Sequence, residues 1–475
     1  MINQSCLKGL LILICTLFYN NVDAKIKLPA LVGDNMVLQQ KTKVEFWGEA
    51  SSNKQVSLFI PWLKDKIKTR ADDKGQWRVV IETPQAGGPY DIRITDGDEV
   101  VIRNVYIGEV WICSGQSNME MPVKGFFSQP VAESNQTISE ADPSVPIHMF
   151  TVQRDASKVL KDDVKGAWEI NTGEAVSNFS AAAYFFGKQL YSVLRIPIGL
   201  ISTSWGASNI ESWMPTELLK EKFPSVSLNH LTNDVAVKVP QQAASLLHNG
   251  MLYPLRKYKC KGMIWYQGEA NRFRPAEYEK LFVSFIEYVR DMFEYKEMPF
   301  YYAQIAPFRY KDKDEPLSGA LLREIQLNCE KKLAHVGMAV LTDVGDEFII
   351  HPAQKKVVGN RLAYWALKNE YNNTGVSAQS PRFLSQKVQG NKIVLSFEHA
   401  DMGLTSFGKS LQCFEIAGED QVFHKAKAVI NGNKVVVWSE NVMEPVAVRY
   451  AFKNFVIGDL FGTSGLPVSS FRTAF

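Results

Sequence analysis

The hydrophobic and polar positions of this chain change their pattern twice. Up to about residue 104, short runs alternate apolar and polar side chains and are separated by turn residues, as at 44–48 and 56–60. Alternation with a period of two is typical of half-buried strands, and strands at this spacing favour a β-sandwich. We therefore expect a β-sandwich domain over residues 25–104.

From residue 105 to about 371, longer apolar runs are separated by helical patterns. Buried strands are expected at residues 105–113, 197–202, 261–266, 299–305 and 336–341. Helices are expected at 180–193, after Pro275, and from Pro352 to Ala366. This alternation predicts an α/β core with a mostly parallel sheet covered by helices. Residues 121–177 fit it poorly and are expected to form a long excursion near the functional site.

Strand patterns return between residues 372 and 475. The dipeptide Asn431-Gly432 separates two apolar runs at 426–430 and 434–438. Asn-Gly between such runs is a strong hairpin signal. We expect this part of the chain to form a C-terminal β domain.

The first 24 residues have the composition of a secretory signal. Lys8 precedes an apolar run at 9–18, and Val22-Asp23-Ala24 loosely fits the rule for cleavage after a small residue. The run is too short for a membrane span, which needs about 20 apolar residues. The chain is therefore expected to be exported, to the periplasm or the medium, or to a lumenal or extracellular space in a eukaryote.

Composition excludes several classes of function. The chain has 475 residues with Lys+Arg 53 against Asp+Glu 50, and this near balance gives no case for nucleic-acid binding. Beyond the predicted signal the cysteines are Cys113, Cys260, Cys329 and Cys413, and none forms a C-x-x-C pair. Because metal-ligand spacing, a phosphate loop and a dinucleotide fingerprint are all missing from the sequence, we expect neither a metal nor a cofactor.

Polar and glycine residues follow the predicted core strands. These clusters occupy residues 115–118, 204–208, 267–271 and 343–351. A parallel sheet brings the carboxyl ends of its strands to one edge, so the four loops are expected to line one crevice. The first loop carries Ser117 and the last carries His351, which is the residue pair that a serine nucleophile and its base require.

The chain resembles the sialate O-acetylesterases, within the SGNH-hydrolase superfamily of carbohydrate esterases. Its matching motifs are Gly-Glu-Val-Trp at 108–111, Ser-Gly-Gln-Ser-Asn-Met at 114–119, Thr-Ser-Trp-Gly at 203–206, Trp-Tyr-Gln-Gly-Glu at 265–269, His-Pro at 351–352, Arg-Leu-Ala at 361–363, Val-Arg-Tyr-Ala-Phe at 448–452, Gly-Leu-Pro at 465–467 and Phe-Arg-Thr at 471–473. The resemblance covers nearly the whole chain after residue 24. It implies a flavodoxin-like SGNH-hydrolase core with a parallel sheet, flanked by N-terminal and C-terminal β regions.

The resemblance also implies roles for individual residues. Ser117 corresponds to the nucleophile and His351 to its general base. An oxyanion hole is implied from the backbone N–H groups of Ser117 and Gly206 and the side-chain amide of Gln267. The implied substrate-binding residues are Gln116, Asn118, Trp205, Glu269 and Asn271.

The sequence departs from the superfamily at the group that orients the histidine. Many members have an aspartate three residues before it, where this chain has Phe348. Asp346 or Asp343 are alternatives for a triad, and a backbone carbonyl would make a Ser-His dyad. The residues alone leave this choice open. Among the other histidines, only His248 is expected near the site.

The resemblance implies an exported serine esterase that removes O-acetyl groups from sialic acids. Acetylated xylan is an alternative substrate, and a glycan-binding protein without catalysis is a second alternative. The expected partner is therefore an acetylated glycan, while the oligomeric state stays open.

Overall fold

The computed structural model describes residues 26–233, 237–310 and 316–473, so the predicted signal segment lies outside the described residues. The N-terminal strands are β1 (Val37–Gln39), β2 (Lys43–Glu49), β3 (Gln55–Phe59), β4 (Ile67–Arg70), β5 (Gln76–Glu82), β6 (Gly87–Thr95) and β7 (Glu99–Gly115). Strands β2 and β5 form one antiparallel pair, and β3, β4 and β6 form an antiparallel set that continues into β7.

The 17-residue strand β7 joins the N-terminal strands to the central sheet. Its first half pairs with β6, and its buried second half pairs with strands of the core. The predicted domain boundary after residue 104 therefore falls inside one continuous strand. The N-terminal strands and one face of the central sheet share a single hydrophobic core.

The central region contains both helices and strands. Its helices are α1 (Ser117–Glu120), α2 (Ser134–Ser139), α3 (Gly173–Asn178), α4 (Ala181–Leu194), α5 (Thr216–Lys222), α6 (Asn229–Thr232), α7 (Pro275–Met292), α8 (Ser318–Cys329) and α9 (Lys355–Glu370). Its further strands are β8 (Ile147–Thr151), β9 (Trp168–Glu169), β10 (Ile198–Ser204), β11 (Gly262–Tyr266), β12 (Phe300–Ala303) and β13 (Val336–Ala339).

The central sheet has the strand order β13-β12-β11-β7-β10-β8-β9. All neighbours up to β8 are parallel, and only β9 is antiparallel. From β7 the chain first builds β8 and β10 on one side and then β11 to β13 on the other. The sheet thus has a topological switch at β7, and the carboxyl end of β7 faces a crevice there.

Helices cover both faces of this sheet, which confirms the predicted α/β class. Helices α4 and α9 pack together on one face, and α7 and α8 pack together on the other. The predicted apolar stripe of α7 is buried, with Leu281, Phe285 and Val289 fully inaccessible. Successive residues of β11 enter different cores, because Trp265 packs against Phe285 of α7 whereas Ile264 belongs to the core cluster that contains residues of α9.

The region 121–177 contains more regular structure than the sequence indicates. Strand β8 lies in this region and extends the parallel sheet beside β10. Its apolar run is short and is interrupted by His148, so the pattern of a buried strand is weak. The remainder is irregular chain with the short helices α2 and α3 and the two-residue strand β9.

The C-terminal region is built from short antiparallel strands. These are β14 (Arg382–Gln389), β15 (Lys392–Glu398), β16 (Leu404–Thr405), β17 (Phe414–Ala417), β18 (His424–Lys425), β19 (Lys427–Asn431), β20 (Lys434–Trp438), β21 (Ala447–Tyr450), β22 (Phe461–Gly462) and β23 (Phe471–Arg472). Asn431 pairs with Lys434 across the predicted hairpin between β19 and β20. Across the described ranges, none of the helices combines the length and the apolar character needed to cross a membrane.

A buried arginine on α8 attaches the C-terminal region to the core. Arg323 is fully inaccessible, and its guanidinium donates to the hydroxyl of Ser470 at 3.2 Å and to the carbonyl oxygens of Lys453 and Asn454. Burial lowers the pKa of Arg323 to about 10. The donors of this one side chain thus satisfy carbonyl groups of a region more than a hundred residues away.

Arg323→Met is expected to lower the free energy of unfolding by about 2–4 kcal/mol, because it leaves buried acceptors without donors. The measurement is urea and thermal unfolding of the variant. Arg309→Met is the matched control, since Arg309 is 64% exposed in an ion pair with Glu347, and it should change stability by less than about 1 kcal/mol. Equal effects of the two variants would contradict the role of Arg323.

Candidate active site

The site begins where β7 ends. Gly115 has a φ of +145°, and a Cβ there would overlap the carbonyl oxygen of Tyr266 on the neighbouring strand. Only glycine tolerates this conformation and this close approach. The chain then turns sharply, and Ser117 becomes the first residue of α1 with its side chain half-buried. The tight turn therefore directs the predicted nucleophile to the edge of the sheet.

The predicted base, His351, lies in the loop between β13 and α9. Its Nδ1 is 2.6 Å from the side-chain oxygen of Gln129. An amide oxygen only accepts, so Nδ1 carries the proton and Nε2 keeps a free lone pair. The ring of Phe126 packs edge-on against the imidazole at 5.2 Å between centroids. Burial, together with the charge of Lys355, lowers the pKa of His351 to about 4.

Gln129 replaces the orienting groups that the sequence suggested. One carboxylate oxygen of Asp346 accepts the backbone N–H groups of Phe348 and Ile349, each at 2.8 Å. Asp343 forms a two-pronged ion pair with Arg361, with both bonds at 2.7 Å. These carboxylates thus fix the loop and do not bond to the imidazole. No sequence pattern pointed to Gln129, which is 222 positions from His351.

Gly206 lies beside Ser117, but its N–H group is occupied. A Cβ on Gly206 would lie 3.3 Å from the Cβ of Ser117. The Gly206 N–H donates to Glu120 at 2.9 Å, and the other oxygen of Glu120 accepts from Arg154 at 2.8 Å. The predicted oxyanion donor is therefore next to the nucleophile and bonded to a carboxylate of α1.

The side chain of Gln267 does not face the crevice, in contrast to its predicted oxyanion role. It is fully buried, and its amide nitrogen donates to Ser208 at 3.1 Å and to Asn271 at 2.8 Å. Its amide oxygen accepts from Tyr278 at 3.1 Å. Because both amide hydrogens are used, Gln267 supports the loops from below. The N–H of Ser117, at the start of α1, donates to no backbone acceptor in the described part of the chain.

A buried polar network centres on Asn118, the residue after Ser117. Asn118 donates to Glu269 at 2.6 Å and to the carbonyl of Ile350 at 3.2 Å, and it accepts from the ammonium of Lys355. Burial raises the pKa of Glu269 and lowers the pKa of Lys355 to about 7. Asn118 thus links the loop after β7, the loop after β11 and the histidine loop.

Most of the predicted substrate-binding residues hold loops together instead. Besides Asn118 and Glu269, Gln116 is buried and accepts the N–H of Gly268 at 3.2 Å. Asn271 is also buried and donates to Glu211 at 2.8 Å. Only Trp205 is partly exposed, with the guanidinium of Arg154 5.4 Å from its ring centroid.

His248 is a buried packing residue and not part of the site. It lies in a short π-helix (His248–Leu252), and its ring nitrogens bond to Asn249 and to the hydroxyl of Tyr288 on α7. His248 was expected near the site, but it packs beneath α7 instead. Burial lowers its pKa to about 4.

Lys355→Met is expected to lower the free energy of unfolding by about 3–5 kcal/mol, because it removes a buried ammonium that favours the charged form of Glu269 and leaves the side-chain oxygen of Asn118 without its donor. Thermal and urea unfolding of the variant measure this loss. Lys356→Met is the matched control, since the neighbouring Lys356 is 49% exposed, and it should cost less than about 1 kcal/mol.

The double variant Lys355→Met/Glu269→Gln extends the same test. Removing both charges should cost less than the sum of the two single losses, since no uncompensated charge remains. Fully additive losses would show that the two groups do not interact.

Comparisons with known proteins identify the family of this chain. The family described as "Carbohydrate esterase, sialic acid-specific acetylesterase" matches residues 107–368. A crystal structure of a carbohydrate acetylesterase from Xanthomonas citri is 34% identical, with a TM-score of 0.85, and covers 94% of this chain and 99% of its own.

Two mammalian relatives are also similar to this chain. The sialate O-acetylesterase of Mus musculus is 26% identical over 451 residues, which are 82% of this chain and 81% of the relative. The enzyme of the same name from Homo sapiens is 25% identical over 398 residues, which are 76% of this chain and 74% of the relative. The chain therefore belongs to the carbohydrate esterase family of sialic acid-specific acetylesterases and is a carboxylic ester hydrolase.

Proposed function

We propose that this protein removes O-acetyl groups from a carbohydrate with Ser117 as the nucleophile and His351 as the general base. The observation that carries this proposal is the bond from His351 Nδ1 to Gln129, which leaves Nε2 free to accept a proton. A serine hydroxyl attacks an ester poorly until a base takes its proton. Both residues lie on loops at the carboxyl edge of the sheet, where α/β folds bind ligands.

The proposed reaction proceeds in two halves. Ser117 Oγ attacks the acetyl carbonyl carbon while Nε2 of His351 takes the hydroxyl proton. The tetrahedral intermediate then collapses, the sugar oxygen leaves with that proton, and an acetyl-serine remains. Water, activated by the same imidazole, hydrolyses the acetyl-serine and releases acetate. The sum is one ester and one water converted to one alcohol and one acetic acid.

The developing oxyanion needs donors near Ser117. The N–H of Ser117 is one, since it lies at the N-terminus of a helix. Gly206 supplies a second if the carboxylate of Glu120 releases its N–H when the acetyl oxygen enters. Each such donor is typically worth about 10²–10³ in turnover. This replaces the predicted contribution of Gln267, whose amide is occupied.

The sugar is the finer part of the proposal. The family match and the mammalian relatives favour O-acetylated sialic acid, while the similar Xanthomonas citri protein is described only as a carbohydrate acetylesterase. Acetate release from 9-O-acetylated sialic acid and from acetylated xylan, at equal ester concentration, separates these two substrates.

Export is also part of the proposal, because residues 1–24 have the composition of a secretory signal. N-terminal sequencing of the protein recovered outside the cytoplasm tests it. A first residue of Lys25 is the expected result, and an intact Met1 would contradict cleavage.

Ser117→Ala should abolish acetate release, with a loss of at least about 10³-fold in kcat and an unchanged melting temperature. Wild-type protein should also be labelled on Ser117 by an active-site-directed phosphonate. Ser139→Ala on the exposed surface of α2 is the matched control and should keep full activity. Full activity of Ser117→Ala would refute the proposed nucleophile, and glycan binding without acetate release by the wild type would indicate a non-catalytic protein.

Gln129→Glu should shift the pH profile of kcat/KM. The base must be neutral, so activity is lost as the pH falls through the pKa of His351, which is about 4. A carboxylate in place of the amide favours the imidazolium and should move this acidic limb upward by about 1–2 pH units. Gln136→Glu on α2 serves as the control and should leave the limb in place. An unmoved limb in Gln129→Glu would show that this side chain does not orient the base.

A further inference from the structure

Three phenylalanine rings near the site are exposed to solvent. The exposed fraction is 96% for Phe127, 76% for Phe348 and 47% for Phe273. We call these three residues the aromatic rim. Single exposed apolar residues are ordinary, whereas exposed apolar side chains grouped beside a ligand crevice are a feature of binding surfaces.

Phe127 is presented at the tip of a tight turn beside the base. Phe126 and Gln129 exchange two backbone hydrogen bonds of 3.0 Å, and Ser128 has a φ of +58°. The same turn supplies the Phe126 ring that contacts His351 and the amide oxygen that binds its Nδ1. The backbone under Phe127 is therefore fixed relative to the imidazole, although the ring itself is free.

Phe348 is fixed in the same way on the histidine loop. Phe348 lies three positions before His351. Its N–H donates to the carboxylate of Asp346 at 2.8 Å. The backbone of the adjacent Asp346 is bonded in turn to the carbonyl of Pro307 at 3.2 Å. Asp346 thus acquires a function that the sequence did not suggest, which is to hold an exposed aromatic residue near the base.

Phe273 extends the rim to the loop after β11. The guanidinium of Arg272 lies 3.8 Å from its ring centroid, and the same guanidinium lies 4.4 Å from the ring of Tyr310. Arg272 also donates to the carbonyl of Glu269 at 3.1 Å, and Glu269 is bonded to Asn118. This ring is therefore tied to the network around Asn118.

The charged groups around the rim are already paired. Arg154 bonds to Glu120, Arg309 bonds to Glu347, and Lys355 is buried on Asn118. Arg272 is held between two rings and a carbonyl. The carboxylates of Glu120 and Glu347 offset the charges of Arg154 and Arg309, so an anionic sugar gains less from these arginines than from unpaired cations, whereas a neutral sugar needs no free cation. The combination of exposed rings and paired cations fits the flat apolar faces of neutral pyranoses.

We propose that the aromatic rim binds a neutral acetylated glycan chain, in which sugar units beside the acetylated one stack on Phe127, Phe348 and Phe273. The proposal rests on the proposed function, since it takes Ser117 and His351 as the centre about which the rim is arranged. The substrate is then an extended glycan chain. The three phenylalanines determine specificity without touching the reacting atoms.

The test compares Phe127→Ala, Phe348→Ala and the double variant with wild type. Acetylated xylo-oligosaccharides of two to six units are the chain substrate, and p-nitrophenyl acetate is the small ester without a sugar. Each single variant should raise KM for the longer chains by roughly five-fold, with kcat unchanged, because each loses about one covered ring face. Neither variant should change kcat/KM for p-nitrophenyl acetate.

Phe407→Ala is the matched control, because Phe407 is 64% exposed on the C-terminal region. It should leave KM for every substrate unchanged. In wild type KM should fall as the chain lengthens, and this dependence should disappear in the double variant. The proposal is overturned if the rim variants leave KM for the chain unchanged, if they weaken p-nitrophenyl acetate hydrolysis equally, or if only 9-O-acetylated sialic acid is turned over.

Binding to catalytically silent protein separates this inference from the proposed function. Calorimetry with acetylated xylo-hexaose on Ser117→Ala should give a Kd that rises roughly five-fold or more when Phe127→Ala is added. If Ser117→Ala were still active, Ser117 would not be the nucleophile, but the effect of Phe127→Ala on glycan binding could still be measured. Equal Kd values with and without Phe127 would refute the role of the aromatic rim in glycan binding and would leave the proposed function untouched.

Discussion

The parallel pairing of β7 with β10 and β11 is the constraint on which the site depends. Gly115 is in register with Ser204 on one side and with Tyr266 on the other. The three strands therefore end at the same level, and the loops that follow them meet at one edge. Because the register of a buried strand is fixed by both of its faces, a slip by one residue would remove Ser117 from the crevice and also invert its core contacts.

The site carries buried charge beneath its reacting groups. Glu269 and Lys355 are both inaccessible to solvent, and Asn118 bonds to each of them. Burying charges costs free energy that a well-packed apolar cluster would not. In return, Asn118 joins the turn that carries Ser117 to the loop that carries His351. The buried charges lower the stability of the fold, and the bonds of Asn118 fix the relative position of the two loops.

A neutral amide orients the imidazole in this protein. A carboxylate would stabilise the imidazolium and raise the pKa of His351, whereas Gln129 fixes the tautomer without adding a charge. Burial and the nearby ammonium of Lys355 lower that pKa to about 4. The base is consequently neutral over nearly the whole physiological range. An imidazole with this pKa is a weaker proton acceptor than one paired with an aspartate, so the mechanism proposed above relies more strongly on its oxyanion donors.

The sequence by itself determined the class of the fold, the strands β7 and β10 to β13 of the central sheet, and the placing of Ser117 and His351 in loops that follow two of these strands. Periodicity reports which faces are buried, and glycine and polar residues at strand ends are local signals. Only the tertiary structure decided the rest. Gln129 orients the base from an irregular segment, Gln267 and Asn118 point inward, and Glu120 holds the N–H of Gly206. Each depends on side-chain direction and on contacts between distant segments, which a one-dimensional pattern does not encode.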